Sequence, residues 1–103
     1  MARYLVTYHG GGMPDGDAER QAAMAAFGAW VARTGSALVD PGAPLGGAKT
    51  VSADGVTDGP AAAAIGGYSI LDADSIDAAV ALVRDHPFVS RGGALQVSET
   101  VSP

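Results

Sequence analysis

The sequence lacks cysteine entirely and has few basic residues. Without cysteine the chain forms no disulfide, no thiolate metal site and no cysteine nucleophile. Six Lys and Arg stand against eleven Asp and Glu, which gives a formal net charge of −5. The basic residues form no cluster, so we expect no nucleic-acid partner. The two histidines and scattered carboxylates show neither HxH nor HExxH spacing, which predicts no metal site.

Large side chains are also scarce, because alanine and glycine supply much of the apolar content and aromatic residues make up only 6% of the chain. At 103 residues we expect one domain, spanning 1–103, whose monomeric core would be thin. This composition favours burial against a second copy of the chain. The apolar run at the N-terminus, within MARYLVTYHG, is too short for a signal or membrane segment. We therefore expect a cytoplasmic protein with no membrane partner.

Residues 58–75 carry the clearest structural signals. Asp58-Gly59-Pro60 predicts a turn, and Tyr68 to Leu71 predicts a strand that is apolar on both faces. Asp72-Ala73-Asp74-Ser75 offers side-chain oxygens to cap a helix, which continues with apolar residues at helical spacing until Pro87. The segment therefore predicts a strand, a tight connection and an amphipathic helix.

The remaining elements follow from alternation and helical spacing. Arg3 to Tyr8 predicts strand one, Ser36 to Val39 strand two, and Lys49 to Ser52 strand three. A helix is expected from Asp17 to about Arg33, closed by Gly35 in a left-handed conformation. Its predicted buried stripe is Ala23, Met24, Phe27, Trp30 and Val31. A last strand begins after Gly92-Gly93.

The order β-α-β-β-β-α-β predicts an α+β fold of the split βαβ type with an added strand. Two helices cover only one face of such a five-stranded antiparallel sheet. We therefore predict that the other face meets its own copy across a two-fold axis, forming a homodimer.

The glycine-rich loop from Gly10 to Gly16 follows strand one. It lacks the GxGxxG spacing, and no parallel βαβ unit follows it, so we predict no nucleotide and no other cofactor. The ordinary interpretation is a connector or a flap over a site.

Several segments together resemble the YCII-related family, also called the DGPF-domain family, of the dimeric α/β-barrel superfamily. The matching text is RYLVTYHG, WVARTGSALVDPGAPL, VTDGP and GGYSILDADSIDAAVALV, followed by HP and GGALQV. The resemblance covers most of the chain. It implies a ferredoxin-like fold and a face-to-face dimer, while most members have no assigned activity.

The better-described branch of that family resembles an enzyme with a His–Asp pair whose histidine lies on the first helix. Here Ala22 to Ala26 of that region contain no histidine, and Ala61 replaces the phenylalanine of the DGPF signature. The histidine of the pair that the resemblance would make catalytic is therefore missing at the matching position.

Four residues remain as candidates for a site. His9 ends strand one and Asp40 ends strand two, so His9 is a candidate general base with Asp40 as its partner. Trp30 is a candidate for lining the same pocket, and His86 is a reserve histidine and ligand contact. The ordinary alternatives stay open: surface or capping roles for the histidines, a turn role for Asp40, and a core role for Trp30. His86 lies at a helix C-terminus, where the helix dipole would favour a cationic imidazole.

Three functions fit this sequence. The first is a small-molecule-binding homodimer without an assigned reaction. The second is a cofactor-independent isomerase or lyase that uses His9 or His86 as a base on a small acidic metabolite. The third is an accessory or regulatory module that binds another protein, since relatives resembling this chain are discussed alongside alternative sigma factors. A deep pocket would favour the first two, and a flat apolar patch the third.

Overall fold

The alternating residues of the first strand form the middle of a four-stranded antiparallel sheet. The computed structural model describes residues 1–11 and 14–101. Strand β1 (Ala2–His9) pairs with β5 (Gly67–Ala73) on one side and β6 (Ala94–Glu99) on the other, and β2 (Leu38–Pro44) pairs with β5. The strand order β2-β5-β1-β6, with the helices on one face, is that of a ferredoxin-like α+β fold.

Side chains of β1 divide between the two faces as their alternation predicts. Tyr4, Val6 and Tyr8 are buried beneath the helices. Arg3 and Leu5 point to the helix-free face, where Arg3 forms an ion pair with Asp72 of β5 and Leu5 lies opposite Ile70.

Within the described part of the chain, three helices lie on the other face. Helix α1 spans Asp17–Thr34 and ends at Gly35, whose φ of 65° confirms the left-handed terminus. A short 3₁₀ turn, Gly35–Ala37, leads into β2. Helix α2 spans Ile76–Val83, and α3 spans Pro87–Ser90. Among the residues that the structure describes, no helix is long and apolar enough to cross a membrane.

Local sequence explains where α2 begins and which side of α1 is buried. Ser75 caps α2 by accepting a hydrogen bond from the Ala78 backbone N–H at 3.1 Å. In α1, Trp30 and Ala23 are buried as predicted, but Met24 is 65% exposed. Met24 was therefore wrongly assigned to the buried stripe, because it lies at the margin of that stripe.

The prediction of a five-stranded sheet is wrong. Strand β3 (Lys49–Ser52) does form, but it pairs with β4 (Gly55–Asp58) in a separate two-stranded ribbon. A turn that includes Asp54 connects β3 directly to β4. The alternation in β3 correctly predicted a strand, but this strand does not join the main sheet.

Strand β2 also continues beyond its predicted end at Val39. It extends through Pro44, with irregular register on either side of Asp40. Gly42 has a φ of 78°, and a side chain there would collide with the carbonyl oxygen of Tyr68. The two prolines and Gly42 therefore bend the strand without ending its pairing with β5.

We predict that Gly42→Ala lowers the free energy of unfolding by about 1–3 kcal/mol, because alanine strains the left-handed backbone and approaches Tyr68. Gly46→Ala is the matched control, since a methyl group at Gly46 meets open space. Urea unfolding of both variants at one protein concentration measures the difference. Equal stabilities would contradict the described path of β2.

Candidate functional site

A cavity of about 420 Å³ lies between α1, β2 and α3, beside the end of β1. We call it the α1–β2 cavity. Its lining is mostly apolar and includes Ala23, Met24, Phe27, Pro41, Pro44 and Phe88. The polar side chains among the lining residues are those of Tyr8, Tyr68, His86 and Arg91. A concave apolar space with a few polar groups is the usual form of a small-molecule site.

A hydrogen-bonded chain of buried side chains runs along the wall of this cavity. The Tyr8 hydroxyl lies 2.9 Å from His86 Nε2 and 2.8 Å from Ser69 Oγ. Ser69 Oγ in turn donates to the backbone carbonyl of Pro41 at 2.8 Å. We call this arrangement the His86–Tyr8–Ser69 chain; it joins residues that are up to 78 positions apart.

The direction of these hydrogen bonds is set by the other nitrogen of His86. The backbone N–H of Phe88 donates to His86 Nδ1 at 3.0 Å, so Nδ1 carries a lone pair and no hydrogen. The proton of the neutral imidazole therefore lies on Nε2, which donates to Tyr8. Because Ser69 donates to Pro41, the Tyr8 hydroxyl donates to Ser69, and every hydrogen in the chain is assigned.

Burial keeps His86 neutral. It lowers the pKa of His86 to about 4, with Arg91 contributing in the same direction, Asp85 opposing and Arg33 adding a smaller decrease. Burial also raises the pKa of Tyr8, against a decrease from its hydrogen bond with Ser69. The unfolded chain binds the His86 proton below about pH 6.5, whereas the folded chain does so only near pH 4. The contribution of neutral His86 to the free energy of unfolding is therefore present at neutral pH and is lost as the pH falls through that interval.

Aromatic rings hold the imidazole in place. The ring centroids of Trp30 and Phe27 lie 4.3 Å and 5.6 Å from that of His86, and Tyr8 packs edge-on at 5.2 Å. Trp30 is itself anchored, because its indole N–H donates to the carbonyl of Leu82 at 3.0 Å. Trp30 thus lies behind His86 as a supporting core residue, and it is not among the residues that line the cavity.

The structure does not bring His9, Trp30 and Asp40 together at one concave site. His9 Nε2 lies 2.8 Å from Thr7 Oγ1, whereas Asp40 Oδ1 accepts the backbone N–H of Gly42 at 2.8 Å. Asp40 of β2 pairs with Ile70 of β5, and Ile70 pairs in turn with Leu5 of β1. Leu5 precedes His9 by four residues along β1, so Asp40 is separated from His9 both across the sheet and along it. Catalysis by a His9–Asp40 pair therefore stays a prediction that no contact among the described residues supports.

His86 is brought to the cavity, but in a different electrical state from the one predicted. It was expected as a favoured cation at the end of a helix. Instead α2 ends at Val83, and His86 is the N-terminal cap of α3, where Pro87 begins a new turn. An imidazole that accepts an N–H at a buried helix start is stabilised in its neutral form.

The predicted flap can be followed only in part. Gly10 lines the cavity, whereas Gly12 and Met13 lie outside the described residues. The flap therefore stays a prediction. Across residues 1–11 and 14–101, no group of three or more His, Asp or Glu side chains is arranged to hold a metal ion.

Comparison with protein families identifies a match over most of the chain. The model of the YCII-related domain matches residues 4–100. The chain belongs to the YCII-related family. No curated protein matches its sequence. In this YCII-related chain, the α1 segment from Ala22 to Ala26 contributes Ala23 and Met24 to the cavity lining, where the better-described branch was expected to carry a histidine.

Three residues of the site were not predicted from the sequence: Tyr8, Ser69 and Arg91. Tyr8 was correctly predicted to lie on β1, but an alternating strand does not reveal which hydroxyl meets a polar partner. Arg91 follows α3, an element that was not predicted. The His86-Pro87 pair was the available signal, since proline favours the first position of a helix.

We predict that Tyr8→Phe destabilises the fold by about 1–3 kcal/mol, because it leaves the buried Nε2–H of His86 without its acceptor. Tyr68→Phe is the matched control, since the Tyr68 hydroxyl has no hydrogen-bond partner among the residues that the structure describes. Chemical denaturation of the two variants gives the comparison. A loss at Tyr68 as large as that at Tyr8 would argue against the chain.

Proposed function

We propose that this YCII-related protein binds a small, largely apolar molecule in the α1–β2 cavity. The observation that carries the proposal is the cavity itself, a volume of about 420 Å³ bordered by the His86–Tyr8–Ser69 chain. Because the buried side chains of this chain already have partners, an apolar ligand beside them displaces water without leaving their donors unsatisfied.

The geometry of His86 favours binding over proton transfer by this residue. A general base needs a free lone pair within reach of the proton that it removes. The single nitrogen lone pair of neutral His86 accepts the Phe88 N–H, and its other nitrogen donates to Tyr8. A base at this position would first have to break the cap of α3.

The test is a titration of ¹⁵N-labelled protein with compact neutral probes: indole, benzyl alcohol and phenylacetamide. We expect saturable shifts of the backbone amides of Gly42 and Phe88, which border the cavity. Met24→Trp should weaken binding by about tenfold or more, since an indole at the cavity mouth occupies ligand volume.

Ala25→Trp is the control for the same bulk on the same helix, because Ala25 is exposed and does not line the cavity. Its binding should match that of the original protein. Saturable binding by none of the three probes, or binding equally reduced by both tryptophans, would refute the assignment of the cavity as a ligand site.

We further propose that two copies pair through the helix-free face of the main sheet. Leu5 and Ile70 lie side by side on this face, and Leu5 is 36% exposed in the single chain. Apolar side chains with no helix above them gain burial from a second sheet. A stable pair of this kind should bury more than roughly 1,000 Å².

Ile70→Lys should convert the dimer to monomer at micromolar concentration, because it places a charge in the proposed interface. Ile76→Lys introduces the same change on the exposed start of α2, and it should leave the dimer intact. Sedimentation equilibrium measures both. A monomeric original protein, or a dimer unaffected by Ile70→Lys, would rule out this interface.

A further inference from the structure

One charged side chain, that of the exposed Arg91, lies in the lining of the α1–β2 cavity. Among the residues that the structure describes, no other arginine or lysine and no acidic residue lines it. The chain as a whole has five more acidic than basic residues. A cavity whose sole charge is positive therefore differs from the average surface of the protein.

The position of Arg91 is held by the backbone and by an aromatic ring. Its N–H donates to the carbonyl of Pro87 at 3.1 Å at the end of α3. The central carbon of its guanidinium group lies 5.7 Å from the ring centroid of Phe88, a cavity residue, within cation–π range. Arg91 is exposed, and its guanidinium lies against a ring of the cavity lining without a carboxylate partner among the described residues.

Three of the other five basic side chains have carboxylate partners in the described part of the chain. Arg3, Arg33 and Lys49 form ion pairs with Asp72, Asp85 and Asp58, respectively. Within the described part of the chain, Arg91 forms neither an ion pair nor a side-chain hydrogen bond. Its donors remain available to a bound molecule.

We propose that the ligand of this cavity is a compact organic acid, with an apolar body against Phe27 and Phe88 and a carboxylate paired with Arg91. This inference rests on the proposed function. A guanidinium group presents parallel N–H donors that match the two oxygens of a carboxylate, and such charge-assisted hydrogen bonds are about twice as strong as neutral ones. The positive field of Arg91 already acts on this wall, since it contributes to lowering the pKa of His86.

The test compares phenylacetate with phenylacetamide, which share one apolar body and differ in charge. Calorimetric or NMR titration at low salt should show the carboxylate binding about tenfold more tightly. Arg91→Gln should abolish that preference, so that phenylacetate and phenylacetamide bind the variant equally. Arg84→Gln, an exposed arginine outside the cavity lining, should keep the preference.

The possible results separate this inference from the function on which it rests. Equal binding of the acid and the amide by the original protein overturns the acid proposal and leaves the binding cavity standing; this comparison needs no variant to fold. Binding of neither probe overturns the acid proposal, and so does a preference that survives in Arg91→Gln. Loss of the preference in Arg91→Gln alone, with amide binding retained, supports it.

Discussion

The hydrogen bond from the Phe88 backbone N–H to His86 Nδ1 determines the chemistry of the whole site. Pro87 has no N–H, so Phe88 supplies the first backbone donor at the start of α3, and the imidazole accepts it. That bond places the remaining proton on Nε2, directs it to Tyr8, and so orders the chain through Ser69. A single capping contact thereby links α3 to the central strands of the sheet. The hydrogen-bond donors of the His86–Tyr8–Ser69 chain beside the cavity are therefore already used.

Much of the fold could be predicted, because its signals are local. Alternation in β1, the Ser75 cap and the Gly35 terminus each depend on neighbouring residues, and the structure confirms them. Pairing is not local. Lys49–Ser52 has the alternation of a strand, yet nothing in those four residues distinguishes an added strand of the main sheet from one half of a separate ribbon. The extension of β2 through Asp40 was not predicted either, because its prolines and Gly42 were interpreted as ending the strand.

The site was much harder to predict than the fold. His86 was singled out, but its role depends on whether α2 continues to it or a new helix begins there. The pairing of His9 with Asp40 was inferred from two predicted strand ends, but β2 continues past Asp40, and Asp40 lies level with Leu5 of β1 on the far side of β5. Tyr8 and Arg91 both line the cavity although they lie near opposite ends of the sequence, so only the folded chain shows that they belong to one site.

The central claim is that His86 is neutral, with its proton on Nε2, and long-range ¹H–¹⁵N correlation spectra of the imidazole ring test it most directly. Comparison with His86→Asn assigns the signals. The account predicts a protonated Nε2 and an unprotonated Nδ1 at pH 7, unchanged until the pH approaches about 4. A proton on Nδ1 at neutral pH, or titration near the ordinary value of about 6.5, would contradict it.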